Sequence, residues 1–131
     1  LSPIESNLRF AMTDNQEYYV PSQLDEIVDF TNGRGYFLNM LSPAELTISG
    51  NFLDPAAFPI NLQEGWNYVP YLKDTESSVE LSLASIWSKL IAVIDEDGKT
   101  CLRPLGHNSI IVLKPGKSYW ILVNQACVLV Y

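Results

Sequence analysis

Asn32-Gly33-Arg34-Gly35-Tyr36-Phe37 and, further along the chain, Pro115-Gly116-Lys117-Ser118-Tyr119-Trp120 are two versions of one pattern. Each is a glycine turn followed by a basic residue and a strand that opens on two aromatics. Glycine reaches positive φ without steric cost, so the block reads as a tight turn feeding a core strand. Working outward from this pair, residues 2–48 align with residues 85–131 at a constant offset of 83 and without a gap. Identical pairs are Ser2/Ser85, Asp14/Asp97, Pro21/Pro104, Ile27/Ile110, Gly33/Gly116, Tyr36/Tyr119 and Leu46/Leu129. Leu8/Ile91, Phe10/Val93, Arg34/Lys117 and Phe37/Trp120 add conservative matches. They fall in the same order at turn and strand positions, so the chain reads as two pseudo-repeats.

The second repeat has a leading portion that includes Gly65-Trp66-Asn67-Tyr68-Val69-Pro70-Tyr71. Its counterpart in the first repeat would precede Leu1, since 65 − 83 = −18. The expected organisation is a partial first repeat at 1–50, a connector at 51–59 and a complete second repeat at 60–131, sharing one core in a single domain of 1–131. The start at Leu1 reads as a processing or truncation site. A repeat without its leading strand exposes a sheet edge, through which a partner protein or a second copy could pair.

With 131 residues and 47% hydrophobic content, the chain is long enough for one ordinary core. A charged fraction of only 18% with 11% aromatics favours strands over helices. The expected fold is mainly β with a minor α component, antiparallel strands forming a sandwich- or barrel-like domain. Strands are predicted at 8–13, 17–20, 26–30, 35–40, 45–49, 60–62, 66–71, 91–95, 99–103, 109–113, 118–123 and 127–131. In 119–123 both alternating faces are apolar, predicting burial on both sides, whereas Asn39 interrupts the first copy. Ser2-Pro3-Ile4-Glu5 has the form of a capping box opening a short helix to about Leu8. Ser77 with Glu80 repeats it, and Val79, Leu83, Ile86 and Leu90 recur at helical spacing, predicting one amphipathic helix over 78–90.

A net charge of −7 with eight scattered basic residues argues against nucleic-acid binding and against anionic membranes. No apolar run approaches the roughly 20 residues needed to cross a bilayer, so no membrane insertion is expected. His107 is the single histidine and sits in a loop sequence without a glycine-flanked serine elsewhere, which disfavours triad chemistry. Fifteen acidic residues supply many carboxylate pairs but nothing selects one. Asp95-Glu96-Asp97-Gly98 suits a cation loop, yet Pro104 stands where a further acidic ligand belongs and a hairpin turn explains the same residues. No catalytic residue, metal site or cofactor is therefore assigned. Cys101 and Cys127 either form a disulfide or serve as two buried thiols. Trp66, Trp87 and Trp120 could stack on sugar rings, although core packing is the favoured reading because two of them recur in the repeat's motifs.

Glu64-Gly65-Trp66-Asn67, Pro115-Gly116-Lys117-Ser118-Tyr119-Trp120-Ile121, Gly33-Arg34-Gly35-Tyr36-Phe37 and Leu46-Thr47-Ile48-Ser49-Gly50 together resemble a β-rich repeat of the GWN…PGxGYWI type. Such repeats recur in secreted and surface proteins of Bacteroidetes, marine bacteria and their phages. The resemblance covers nearly the whole chain and departs at Ser118 and at Tyr68-Val69-Pro70. It implies a fold signature in Gly33, Tyr36, Gly65, Trp66, Asn67, Gly116, Tyr119 and Trp120 and supplies no catalytic residues. The function expected is a non-catalytic structural or adhesion module of a secreted, cell-surface or virion-associated protein. The alternative is a carbohydrate-binding module of a secreted enzyme.

Overall fold

A computed structural model describes residues 1–31, 33–51 and 53–131. Asn32 of the first turn block and Phe52 of the connector lie outside the described residues. The protein is mainly β, as its composition predicts, with short helical turns and antiparallel sheets that remain open among the described residues. The chain divides into two compact units, Leu1–Phe52 and Leu53–Tyr131, with the division inside the 51–59 connector.

In the first unit a 3-10 turn at Ser2–Asn7 leads into β1 (Leu8–Met12), β2 (Tyr18–Val20), β3 (Leu24–Asp25) and β4 (Phe37–Met40). They form one sheet in the order β3-β2-β1-β4. The second unit contains β5 (Ile60–Leu62), β6 (Gly65–Pro70), β7 (Ser77–Ser78) and α1 (Val79–Ser82). It continues with β8 (Leu90–Ile94), β9 (Thr100–Leu102), β10 (His107–Asn108), β11 (Val112–Leu113), β12 (Ser118–Val123) and β13 (Cys127–Leu129). Its main sheet runs β10-β9-β8-β12-β6, flanked by the pairs β11-β7 and β13-β5.

Every ladder pair of the first sheet recurs in the second. Ala11↔Tyr19 and Met12↔Tyr18 return as Val93↔Cys101 and Ile94↔Thr100. Tyr19↔Asp25 and Val20↔Leu24 return as Cys101↔Asn108 and Leu102↔His107. Leu8↔Met40, Phe10↔Asn39, Ala11↔Leu38 and Met12↔Phe37 return as Leu90↔Val123, Ala92↔Leu122, Val93↔Ile121 and Ile94↔Trp120, with the register shift at the same place. This equivalence requires an offset of 82 through Val20 and of 83 from Leu24 onward. The extra residue lies in Arg103-Pro104-Leu105-Gly106, which replaces Pro21-Ser22-Gln23. The ungapped offset is thereby corrected over its first half: Leu8 matches Leu90, Phe10 matches Ala92, and Asp14 matches Glu96. A one-residue loop insertion costs a surface connection little and leaves the strands on both sides in place.

Side-chain contacts repeat as faithfully. Thr31 N–H donates to the Tyr36 hydroxyl at 2.9 Å, and Lys114 N–H donates to the Tyr119 hydroxyl at 2.9 Å. Arg34 pairs with Asp14 at 3.4 Å, as Lys117 pairs with Glu96. The first hairpin turn is closed by Thr13 N–H to Glu17 O at 3.0 Å, the second by Asp95 N–H to Lys99 O at 3.1 Å. Both block glycines adopt positive φ, 82° at Gly33 and 74° at Gly116, which is the turn their sequence predicts.

Beyond this shared frame the units differ. The core of the second unit includes Leu62, Val69, Tyr71, Val79 and Leu83 from the leading segment, packed with Ile86, Val93, Leu113, Ile121 and Leu129. Among the described residues of the first unit there is no counterpart of that segment. Two predicted strands fail for this reason. In the second unit β13 forms by pairing with β5 and β11 by pairing with β7; the corresponding stretches, 44–46 and 29–30, are not strands, so the strands predicted at 45–49 and 26–30 do not form. Residues 109–113 are strand only at Val112–Leu113. The other predicted strands agree with the structure to within two residues, whereas the two-residue strands β3, β7 and β10 fall outside every predicted range.

The predicted helix at 78–90 is also corrected. Val79, Leu83, Ile86 and Leu90 are all buried, as their spacing requires, but only Val79–Ser82 is α-helical. Ala84–Ile86 is a 3-10 turn and Leu90 already belongs to β8, because pairing of Leu90 with Val123 draws the chain out of the helix. Its cap is Ser78, which accepts from Leu81 N–H at 3.2 Å, rather than Ser77. At the N-terminus Leu1 occupies the cap without a side-chain hydrogen bond. Glu5 accepts the Tyr19 hydroxyl instead of closing a capping box.

Candidate functional site

The signature Gly65-Trp66-Asn67 divides its labour. Gly65 takes φ 98° where the chain turns from β5 into β6. The Asn67 amide then braces that turn: its oxygen accepts from Gln63 N–H at 2.9 Å, and its nitrogen donates to Gln63 O at 2.8 Å and Gly65 O at 3.1 Å. With turn and register fixed, alternation along β6 sends Val69 inward and Trp66 and Tyr68 outward. On the neighbouring β12, Tyr119, Ile121 and Val123 are buried while Trp120 and Leu122 face out. The expected burial on both faces of this strand is overturned, since only one face of the sheet carries the core.

The register sets Trp120 opposite Tyr68 and Leu122 opposite Trp66. The result is an outward aromatic strip. Trp66 is 49% exposed and Trp120 38% exposed, which corrects the expectation that both pack in the core. Tyr68, which no sequence signal singled out, lies between them with its ring 4.9 Å from that of Trp120 and inclined by 39°. Partial burial raises the Tyr68 phenol above its ordinary range. Trp87 is not part of the strip. It follows the 3-10 turn at Ala84–Ile86 and lies beneath the Arg103 guanidinium, 5.3 Å from the ring centre.

The other candidates are placed apart from the strip. Cys101 and Cys127 are free thiols, Cys101 on β9 and Cys127 on β13, strands of different sheets, so the disulfide does not form. Cys101 is buried, which raises its thiol and leaves it a small apolar side chain. His107 is exposed on β10 opposite Leu102. Asp95 acts as a hairpin residue: its carboxylate accepts from Asp97 N–H at 3.0 Å and Lys99 N–H at 2.8 Å. An open cleft of about 420 Å³ beside this hairpin is bordered by Asp95, Glu96 and Asp97 and by Lys99, Lys114 and Lys117. Its acidic and basic groups balance, and Glu96 is already paired with Lys117. Among the described residues, no group of three or more His, Cys, Asp or Glu side chains is arranged to hold a metal, and no helix is long and apolar enough to cross a membrane.

No protein-family model, no curated protein and no solved structure matches the chain.

Proposed function

We propose that the chain is a non-catalytic interaction module of a secreted, cell-surface or virion-associated protein, and that it engages its partner through the outward strip of β6 and β12. The observation that carries this reading is the exposure of Trp66 and Trp120 on one sheet face with Tyr68 between them. Large aromatics displayed together on a rigid ladder contribute much contact area at little entropic cost, which is why Trp and Tyr anchor recognition surfaces. The resemblance to surface-protein repeats agrees with this use. A carbohydrate-binding module is the second reading, favoured by indole faces open to the apolar side of a sugar ring.

Substitution of both Trp66 and Trp120 by Ala tests the proposal, because half-exposed side chains can be removed without opening the core. Attachment of particles displaying the chain to their target surface should drop at least about tenfold, the loss of roughly 1.4 kcal/mol of contact, while unfolding by denaturant changes little. Glycan-array binding that disappears in the double variant would shift the function to the carbohydrate reading. Turnover of a polysaccharide or peptide abolished by one point substitution would overturn both.

A further inference from the structure

Among the described residues β4 ends its sheet, whereas its counterpart β12 has a neighbour on each side, β8 and β6. We propose that the free edge of β4 is a docking site for an extended segment of the same kind as residues 60–83, contributed by another repeat of this type. This edge belongs to the other unit from the aromatic strip and is argued independently of it.

The second unit shows what such an occupant does. β6 pairs antiparallel with β12 through Tyr119↔Val69, Ile121↔Asn67 and Val123↔Gly65, and Tyr71 N–H bonds to Lys117 O at 2.9 Å. Alternation along an antiparallel strand then directs the backbone groups of Tyr119, Ile121 and Val123 toward β6. Asn124 N–H, one position out of phase, bonds to Lys89 O on the β8 side at 3.0 Å. In the first unit Leu41 N–H bonds to Asn7 O at 2.7 Å in the equivalent place. By the same alternation Tyr36, Leu38 and Met40 direct their N–H and C=O groups away from β1, toward the open edge.

The side chains mark the same vacancy. Phe30, Leu38 and Met40 hold the places of Leu113, Ile121 and Val123 in the repeat. Those three are almost wholly buried, at 0%, 0% and 1% exposure. Phe30 is 49% exposed, and Leu38 and Met40 are half-buried. In the second unit, the leading segment supplies Val69, Tyr71, Val79 and Leu83 to the core that closes over these positions. An occupant of the β4 edge must therefore be an extended strand of Gly-aromatic-Asn-aromatic-Val type followed by an apolar plug. Register carried over from the second unit sets its Asn opposite Leu38, its Val opposite Tyr36 and its second aromatic beside Phe37, where Tyr68 meets Trp120. Such strand addition uses main-chain hydrogen bonds for affinity and side-chain pockets for register.

The probe is a labelled peptide with the sequence of residues 60–83, added to the full chain. Saturable one-to-one binding is expected by fluorescence anisotropy, with amide exchange at Leu38 and Met40 slowed at least about tenfold. N-methylation of the peptide at Asn67 or Val69, whose N–H groups face the paired strand, should weaken binding at least about tenfold. N-methylation at Tyr68, whose N–H faces away, should leave it within about twofold. Absence of saturable binding up to about 1 mM, unchanged exchange at Leu38 and Met40, or equal effects of all three N-methyl groups would each overturn the proposal.

Discussion

Tyr36 and Tyr119 receive the same hydrogen bond from a backbone N–H five residues earlier. One is nevertheless half-buried and the other only 4% exposed. The same contrast runs through both units. Their ladders agree pair for pair, so strand frame, hairpin turn and the crossing ion pair are properties of the repeat itself. Burial is not. It depends on residues 60–83, which in the second unit deliver the strands β5, β6 and β7 and a short helix to cover what the frame leaves open. Hydrogen-bonded frame and hydrophobic closure are thus separable, and the first unit shows the former without part of the latter.

The largest test of this separation is truncation at equivalent inward positions. Ile121→Ala should cost about 2–5 kcal/mol, because a wholly buried side chain leaves a cavity. Leu38→Ala at the matching place should cost about 1–2 kcal/mol, because its surroundings are already partly solvent. Trp66, Trp87 and Trp120 all lie in the second unit. Indole fluorescence during denaturant unfolding therefore reports the first substitution, and amide exchange of β1 reports the second. Equal losses at the two positions would break the comparison.

Alkaline titration should separate the units next. Burial raises the Tyr119 and Tyr131 phenols, so folding disfavours their ionised forms. Their contribution to stability is full below the unfolded value of about 10 and is lost as pH climbs above it toward the folded values. Tyr19 in the first unit is also raised, chiefly by its hydrogen bond to Glu5, but it is half-buried rather than enclosed. Denaturant midpoints measured between pH 8 and pH 11 should therefore fall further for the second unit. A parallel fall in both would assign the effect to general charge repulsion.

A smaller effect is expected at the matching hairpins, where φ is 62° at Gln16 and 76° at Gly98. A left-handed residue other than glycine costs about 1 kcal/mol. Gln16→Gly should therefore stabilise the first unit by up to about 1 kcal/mol and Gly98→Ala destabilise the second by a similar amount. Thermal unfolding followed by circular dichroism checks both, and shifts of the same sign would show that the turns are not equivalent.

Much of the frame was legible in the chain. The glycine-basic-aromatic blocks located β4 and β12, because a positive-φ turn and a strand-opening aromatic pair leave local signatures. Asp95-Glu96-Asp97-Gly98 announced its hairpin for a similar reason. The one-residue gap near Pro21 was not legible, since few identities flank it and only ladder registers fix which residues face each other. Trp66 and Trp120 were read as core because apolar bulk in a repeated motif usually marks packing. Their outward placement follows from Asn67 and Gly65 fixing the turn, and with it which alternate residues of β6 point in.

Amino-acid sequence by itself determined the β-rich class and the duplicated turn-and-strand pattern, both of which rest on local conformational preference and spacing. Only tertiary structure decided which stretches became strands, where the helix at 78–90 broke and which aromatics reached the surface. Those outcomes require a partner strand or a covered face from distant residues: β13 exists because β5 is beside it, and Leu90 is strand because Val123 is its neighbour.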